Sequence, residues 1–321
     1  MIDAESAVLN KECFRTFASD ADGNLCHAYL LFSDDAFFRK IFLKAAAKRI
    51  FSKNVSSENA ICQGIEDGSY LDAIFFDGAE MKVKETAALI EKAGMQPLYG
   101  DRKVFCIDNA DKLNAQSQNK LLKTYEEPPS YLTVIMASSN ESGILQTIKS
   151  RAKKIYADGF TVKETSELLI SEGFPKNQAL VAASLGDGNM ERAASFLSDE
   201  KYVKLYDACF EMLLSLENST MIVDYLYGEL FTKDNAALTS DILESIFSDV
   251  LKVACNVGLP LSNSGREFDV KQIASKFNPQ SAQEALFALN EGRKKLNFNV
   301  SSVRSAEGVL FDILEARYKW Q

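Results

Sequence analysis

No Cys-x-x-Cys pair occurs among the six cysteines of this 321-residue chain, and histidine occurs once. Cys13, Cys26, Cys62, Cys106, Cys209 and Cys255 are spread along the sequence, and Cys26 meets His27 only as a neighbour in the chain. Adjacent residues cannot supply the four ligands of a tetrahedral site. Zinc is therefore not expected, and the thiols read as the reduced thiols of a cytoplasmic protein. His27 has no carboxylate near it in sequence and reads as a packed histidine rather than a general base. Long apolar runs are also missing: those present, such as residues 134–137, are no more than strand-length, and residues 1–5 hold two acids and no base. Neither a membrane span nor a signal peptide is expected. Basic charge is in deficit, with 36 Lys and Arg against 45 Asp and Glu and a formal net charge of −9. Free, non-specific binding to nucleic acid is disfavoured, because that affinity comes from clustered Lys and Arg.

The stretch that is present and most informative runs over residues 102–129. Val104-Phe105-Cys106-Ile107 is an apolar run that ends in Asp108. That is how a buried parallel strand delivers a carboxylate to the edge of a nucleotide-binding α/β sheet. Further strands are predicted over 25–32, 71–77, 132–138 and 153–156. Helices are predicted over 4–17, 36–51, 83–93 and 114–124, and the alternation argues for a mostly parallel sheet. The turn out of the first strand, Ser33-Asp34-Asp35, contains no glycine. A phosphate-binding loop needs glycines so that backbone N–H groups can wrap the phosphates, and a lysine to reach them. Only Lys40 imitates that lysine, and two aspartates would repel a triphosphate, so the turn reads as an ordinary surface turn.

Beyond Gly159 strand signals largely cease. Thr161-Val162-Lys163-Glu164 is a capping box opening a helix to residue 172. Gly173 and Gly186-Asp187-Gly188 punctuate two more helices, 177–185 and 190–197. Longer amphipathic helices follow over 202–216, 241–257, 282–296 and 302–318, with 257–279 as an irregular connection. The expected division is an α/β domain over 1–158, a three-helix domain over 159–200 and a helical bundle over 201–321.

Several runs together resemble bacterial clamp-loader AAA+ subunits. They are Gly100-Asp101-Arg102-Lys103-Val104, Asp108-Asn109-Ala110-Asp111-Lys112-Leu113, the run from Asn119 through Tyr125-Glu126-Glu127-Pro128-Pro129, and Ile148-Lys149-Ser150-Arg151-Ala152. His27-Ala28-Tyr29-Leu30 and Pro97-Leu98-Tyr99-Gly100 are similar to further segments of that family. The match is specific from His27 to about Arg192 and architectural beyond, apart from Leu296-Asn297-Phe298-Asn299. The resemblance implies a parallel-sheet AAA+ core, a small helical lid and an all-helical collar for oligomerisation.

The departures are as informative as the match. A hydrolysing member carries Asp-Glu at the end of this strand, one to hold Mg²⁺ and one to activate water. Here the pair is Asp108-Asn109, and an amide cannot accept the proton. The family's four-cysteine zinc module is reduced to Cys62. The resemblance therefore implies no intrinsic catalysis, no cofactor and no metal. Asp108, Asn109, Asn140 at the first sensor position and Arg192 at the second are vestigial. Asp108 and Asp111 could form a metal pair, but Asp111 is expected to cap the next helix.

Ser150-Arg151 alone is a weak motif and would read as a surface arginine paired with an acid. The resemblance makes Arg151, with Ser150, an arginine finger offered in trans to a neighbour's ATP. Lys112, Lys120, Lys123, Lys149, Lys153 and Lys154 read as a solvated face that could meet DNA or an acidic neighbour. The implied partners are gamma/tau-type motor subunits and a delta subunit in a hetero-oligomer rather than a homo-oligomer. The sliding clamp and primed DNA are reached through the assembly, and no membrane is involved. The alternatives are a delta-type clamp-opening subunit and an AAA+-like nucleic-acid-binding or regulatory scaffold.

Overall fold

Five parallel strands carry the N-terminal half of the chain in the order β2-β3-β4-β1-β5: β1 Ala28–Phe32, β2 Ala73–Asp77, β3 Lys103–Asp108, β4 Leu132–Ser138 and β5 Lys153–Tyr156. The computed structural model describes residues 3–52, 60–198, 200–259, 261–263, 265–297 and 301–319. Strands β1, β3 and β4 are buried at every residue, as the central strands of a parallel sheet covered on both faces must be. At the β5 edge only Ile155 is buried, and the lysines beside it blunt the open edge. Asp108 at the end of β3 and Ser138 at the end of β4 therefore lie at the same sheet margin as Ser33, which follows β1 and donates its N–H to the Ser138 carbonyl at 3.1 Å.

The helices of this half are α1 Ala4–Leu9, α2 Glu12–Asp22, α3 Ala36–Phe51, α4 Ala60–Glu66, α5 Val83–Ala93, α6 Ala115–Glu126 and α7 Gln146–Lys149. The single helix expected over 4–17 is two, because Asn10 ends α1 and returns its side-chain N–H to the Ser6 carbonyl at 2.9 Å. Strand β1 begins at Ala28 rather than at residue 25, which leaves His27 exposed and not packed. The polar stretch after α3 contains α4, which buries Cys62 and Ile65. Helix α6 is capped by Asn114, whose side chain accepts from Ser117 N at 2.8 Å. Asp111 does not cap it. That carboxylate instead accepts from Ser138 Oγ at 3.0 Å and ties the turn after β3 to the end of β4.

The segment before β3 is held by two buried charges. Asp72 accepts the backbone N–H groups of Leu98 and Tyr99, at 2.9 and 2.7 Å. Lys103 donates Nζ to the carbonyls of Lys92, Met95 and Gln96 at the C-terminal end of α5, where a cation is favoured. The Pro97-Leu98-Tyr99-Gly100 motif is thus a loop pinned from both sides. Phe105, Ile107, Leu30 and Met136 lead the core beneath the sheet, each fully buried large side chain contributing about 1.5–3 kcal/mol.

Close contacts divide the chain into two units, Met1–Glu164 with Asn189–Glu191, and Thr165–Gly188 with Arg192–Gln321. The remaining helices are α8 Val162–Ser171, α9 Lys176–Leu185, α10 Met190–Ser198, α11 Glu200–Ser215, α12 Ser219–Leu226, α13 Ala236–Ala254, α14 Glu267–Ala274, α15 Pro279–Asn297 and α16 Ser302–Lys319. The capping box forms as read, Thr161 N to Glu164 Oε2 at 2.7 Å and Glu164 N to Thr161 Oγ1 at 3.2 Å. The second unit has its own core around Phe210, Ile246, Phe247 and Leu310. The connection over 257–279 is not wholly irregular, since α14 lies in it and buries Val270 and Ile273. The loop before α14 is organised by buried Asp249, which accepts from Ser262 N at 3.0 Å and Asn263 N at 2.7 Å. Of the Leu296-Asn297-Phe298-Asn299 motif, Phe298 and Asn299 lie outside the described residues. Among the described residues no helix is long and apolar enough to cross a membrane.

Candidate functional site

The margin formed by the ends of β1 and β3 is filled by the chain's own side chains. Asp35 caps α3, accepting from Phe37 N at 2.9 Å and Phe38 N at 3.2 Å through Oδ1, and from Met190 N at 2.9 Å through Oδ2. It is 1% exposed, so the Ser33-Asp34-Asp35 turn is not the ordinary surface turn expected from its polarity. Burial pushes the Asp35 carboxyl above its usual range, and the amide N–H groups of Met190, Phe38 and Phe37 pull it partly back. A carboxylate at a helix N-terminus occupies the kind of place a phosphate otherwise takes.

Arg39 sits one turn further along α3 and is 2% exposed. Its guanidinium donates Nε to Asp108 Oδ1 at 2.7 Å, Nη1 to the Ser33 carbonyl at 3.0 Å and Nη2 to Asn109 Oδ1 at 2.8 Å. Lys40, the lysine singled out from sequence, points to solvent. Asn109 adopts a left-handed backbone, φ 49° and ψ 39°, and its Nδ2 donates to Asp77 Oδ1 at 2.9 Å. Gly78 permits that turn: its N–H donates to the Asp108 carbonyl at 2.8 Å, and a Cβ there would stand 2.4 Å from the Asn109 carbonyl oxygen. Arg39, Asp77, Asp108 and Asn109 thus form one network joining α3, β2 and β3. Asp108 Oδ2 and Ser33 Oγ are buried without a hydrogen-bond partner among the described residues.

This residue set does not fit a magnesium nucleotide. A buried guanidinium stands on Oδ1 of the carboxylate that would hold the cation, the helix N-terminus is already filled by Asp35, and the turn has no glycine to wrap a phosphate.

A second arrangement lies further along the chain. After β4, exposed Asn140 accepts from Ser142 N at 2.9 Å and Ser142 Oγ at 2.8 Å, which caps the turn Glu141–Gly143 and gives Asn140 a local structural task. Ile144 and Ile148 are buried and anchor α7 in the core. Buried Gln118 reinforces this from α6, donating Nε2 to the carbonyls of Leu113 and Gly143, at 2.9 and 2.8 Å, and accepting from Leu145 N at 2.8 Å. Sequence reading missed Gln118. Its only signal was a polar residue on the apolar face of α6, beside Leu121.

Ser150 and Arg151 follow α7 directly. Ser150 Oγ donates to the Thr147 carbonyl at 3.1 Å. Arg151, its side chain 35% exposed, pairs with Glu126 Oε1 at 2.7 Å and donates Nη1 to the Thr147 carbonyl at 2.9 Å. The acid partner expected of a surface arginine is therefore there, and it comes from the Glu126-Glu127-Pro128-Pro129 motif. None of the hydrogen bonds described for Arg151 reaches Asp108, Asn109 or Asn140. Of the lysines beside it, Lys153 pairs with Asp20 and Lys154 with Glu141, while Lys120 and Lys123 are exposed. Arg192 belongs to the second unit and is exposed on α10.

The family model described as DNA polymerase III, delta subunit, matches residues 10–159, which coincide with the parallel-sheet half. DNA polymerase III subunit tau/gamma of Haemophilus influenzae is 25% identical over 308 residues, covering 86% of this chain and 44% of that protein. Subunit delta' of Bacillus subtilis is 25% identical over 248 residues, 75% of either chain. Subunit gamma of Buchnera aphidicola is 33% identical over 135 residues, 40% of this chain and 37% of that one. The chain thus spans less than half the length of the tau/gamma relative. The matched segment and the parallel sheet coincide, and in that half the chain is similar to the DNA polymerase III subunits of the clamp loader.

Proposed function

We propose that this chain is a non-hydrolysing, delta-prime-type subunit of the loader, offering Arg151 in trans to the ATP of a neighbouring motor subunit while a sliding clamp is placed on primed DNA. The observation that carries this reading is Arg39. Its buried guanidinium spends its hydrogen bonds on Asp108, Asn109 and the Ser33 carbonyl, where a hydrolysing subunit needs phosphate and magnesium. A chain with that site closed can still serve a neighbour's site. Arg151 stands at the surface on a segment fixed by Ile148 and Gln118.

In the neighbour's site water attacks the terminal phosphoryl group and ADP leaves, with negative charge spreading over the transferring oxygens. A guanidinium is always charged and binds two oxygens at once, so it stabilises that charge without giving up a proton. Ser150, bonded to the same carbonyl as Arg151, holds the turn that presents it. The delta' relative carries the subunit name this reading adopts, and the gamma and tau names supply the expected motor partners, alongside a delta subunit. In this reading residues 159–200 form the lid, residues 201–321 form the collar that joins the hetero-oligomer, and the assembly works in the cytoplasm.

Calorimetric titration of the purified chain with Mg²⁺-ATP tests the closed site. No heat of binding is expected up to millimolar nucleotide. Tight, magnesium-dependent binding would overturn the reading and return the chain to the ATPase class.

A further inference from the structure

Arg151 is already engaged within its own chain. Nη2 donates to Glu126 Oε1 at 2.7 Å, and Nη1 donates to the Thr147 carbonyl at 2.9 Å and to Ser150 Oγ at 3.4 Å. Glu126 is the last residue of α6 and Thr147 lies within α7, so two separate elements converge on one guanidinium. The principal acceptors are a carboxylate and a carbonyl, chemical stand-ins for the oxygens of a phosphate. The Arg151 and Glu126 side chains are 35% and 48% exposed, so the pair can open without uncovering the core.

We infer that Glu126 is a positioning residue that parks the Arg151 guanidinium and releases it only to the stronger anion of a neighbouring nucleotide. The inference rests on the trans role proposed for Arg151 and adds its regulation. Exposed ion pairs shift an equilibrium by no more than about fivefold. A polyphosphate carries several charges and accepts bidentately, so it displaces the carboxylate once the interface brings it within reach. Until then the finger is held back, and turnover at the adjacent site is restrained while no clamp or DNA has closed the assembly. The Thr147 bond keeps the side chain in the same region throughout, so release of Glu126 needs only a short swing.

The test uses a loader assembled from the cognate gamma/tau-type and delta subunits with this chain as wild type, Glu126→Gln, Arg151→Ala, or both. ATP turnover is measured with and without clamp and primed DNA. Glu126→Gln retains shape and a neutral acceptor but removes the charge. It is expected to raise unstimulated turnover about two- to fivefold, to lower the ratio of stimulated to unstimulated turnover, and to lose much of its effect at about 0.5 M salt, where exposed charges are screened. In the Arg151→Ala background it is expected to change nothing. Wild-type unstimulated turnover in Glu126→Gln, or an equal gain with and without Arg151, would overturn the inference. If Arg151→Ala itself leaves every rate unchanged, the trans arginine falls first, and the inference with it.

Discussion

Arg39 and Asp108 have side chains only 3% and 9% exposed, so neither charge can turn to water when the other is removed. Breaking a buried pair from one side costs about 3–5 kcal/mol, whereas replacing both members with apolar groups is often near neutral. Arg39→Met is therefore expected to lower the free energy of unfolding in urea by about 3–5 kcal/mol, with much of the loss recovered in Arg39→Met/Asp108→Leu. A single variant as stable as wild type would mean that the pair does not hold the site closed. Asp108 was legible in the sequence because it ends an apolar run. Arg39 was not. Helix α3 buries residues on most of its faces, including Phe38, Phe42, Ala45, Ala46 and Lys48, so periodicity does not single out which of Arg39 and Lys40 turns inward. The choice is made by Asp108, a residue 69 positions away in the chain. The trans role of Arg151 rests on the resemblance alone and stays a proposal, and its pairing with Glu126 needed the fold that brings the ends of α6 and α7 together.

Between residue and fold, α7 is four residues long and has little helical stability of its own. Its position comes from Ile148 in the core and from Gln118, which satisfies two carbonyls and one N–H of the segments on either side. Gln118→Leu keeps the bulk and orphans those groups, each worth about 1–3 kcal/mol when left unpaired and buried. Amide hydrogen exchange at Leu145 is expected to accelerate by at least tenfold in that variant, with β3 and β4 little changed. Unaltered protection at Leu145 would show that α7 is held by Ile148 alone. At this scale the sequence was most readable where apolar runs are long and bounded: β4, β5 and α5 occur at the boundaries read for them. It was least readable at α4, α12 and α14, short helices of seven or eight residues. Two of these, α4 and α14, lie in stretches whose polar and glycine content masks their apolar spacing.

For the whole molecule, the parallel sheet and the family likeness were within reach of the sequence, because the motifs of residues 97–129 and 148–152 sit where the sheet margin needs them. The type of subunit is harder to read. Subunits named gamma, tau and delta' all match this chain, and the proposed choice among them turns on Arg39, Asp35 and the missing glycines rather than on a positive motif. On the proposed reading, the closed site and the surface arginine act together within an assembly of subunits. An arginine supplied in trans accelerates phosphoryl transfer by about 10³–10⁵ in GTPases. The most direct measurement is single-turnover ATP hydrolysis by the assembled loader, with clamp and primed DNA, containing either wild-type chain or Arg151→Ala. The expected result is that Arg151→Ala silences the one ATP site that borders this subunit and leaves the other motor sites firing, so the fast phase loses the share belonging to one site. A fast phase of unchanged amplitude and rate would contradict the account.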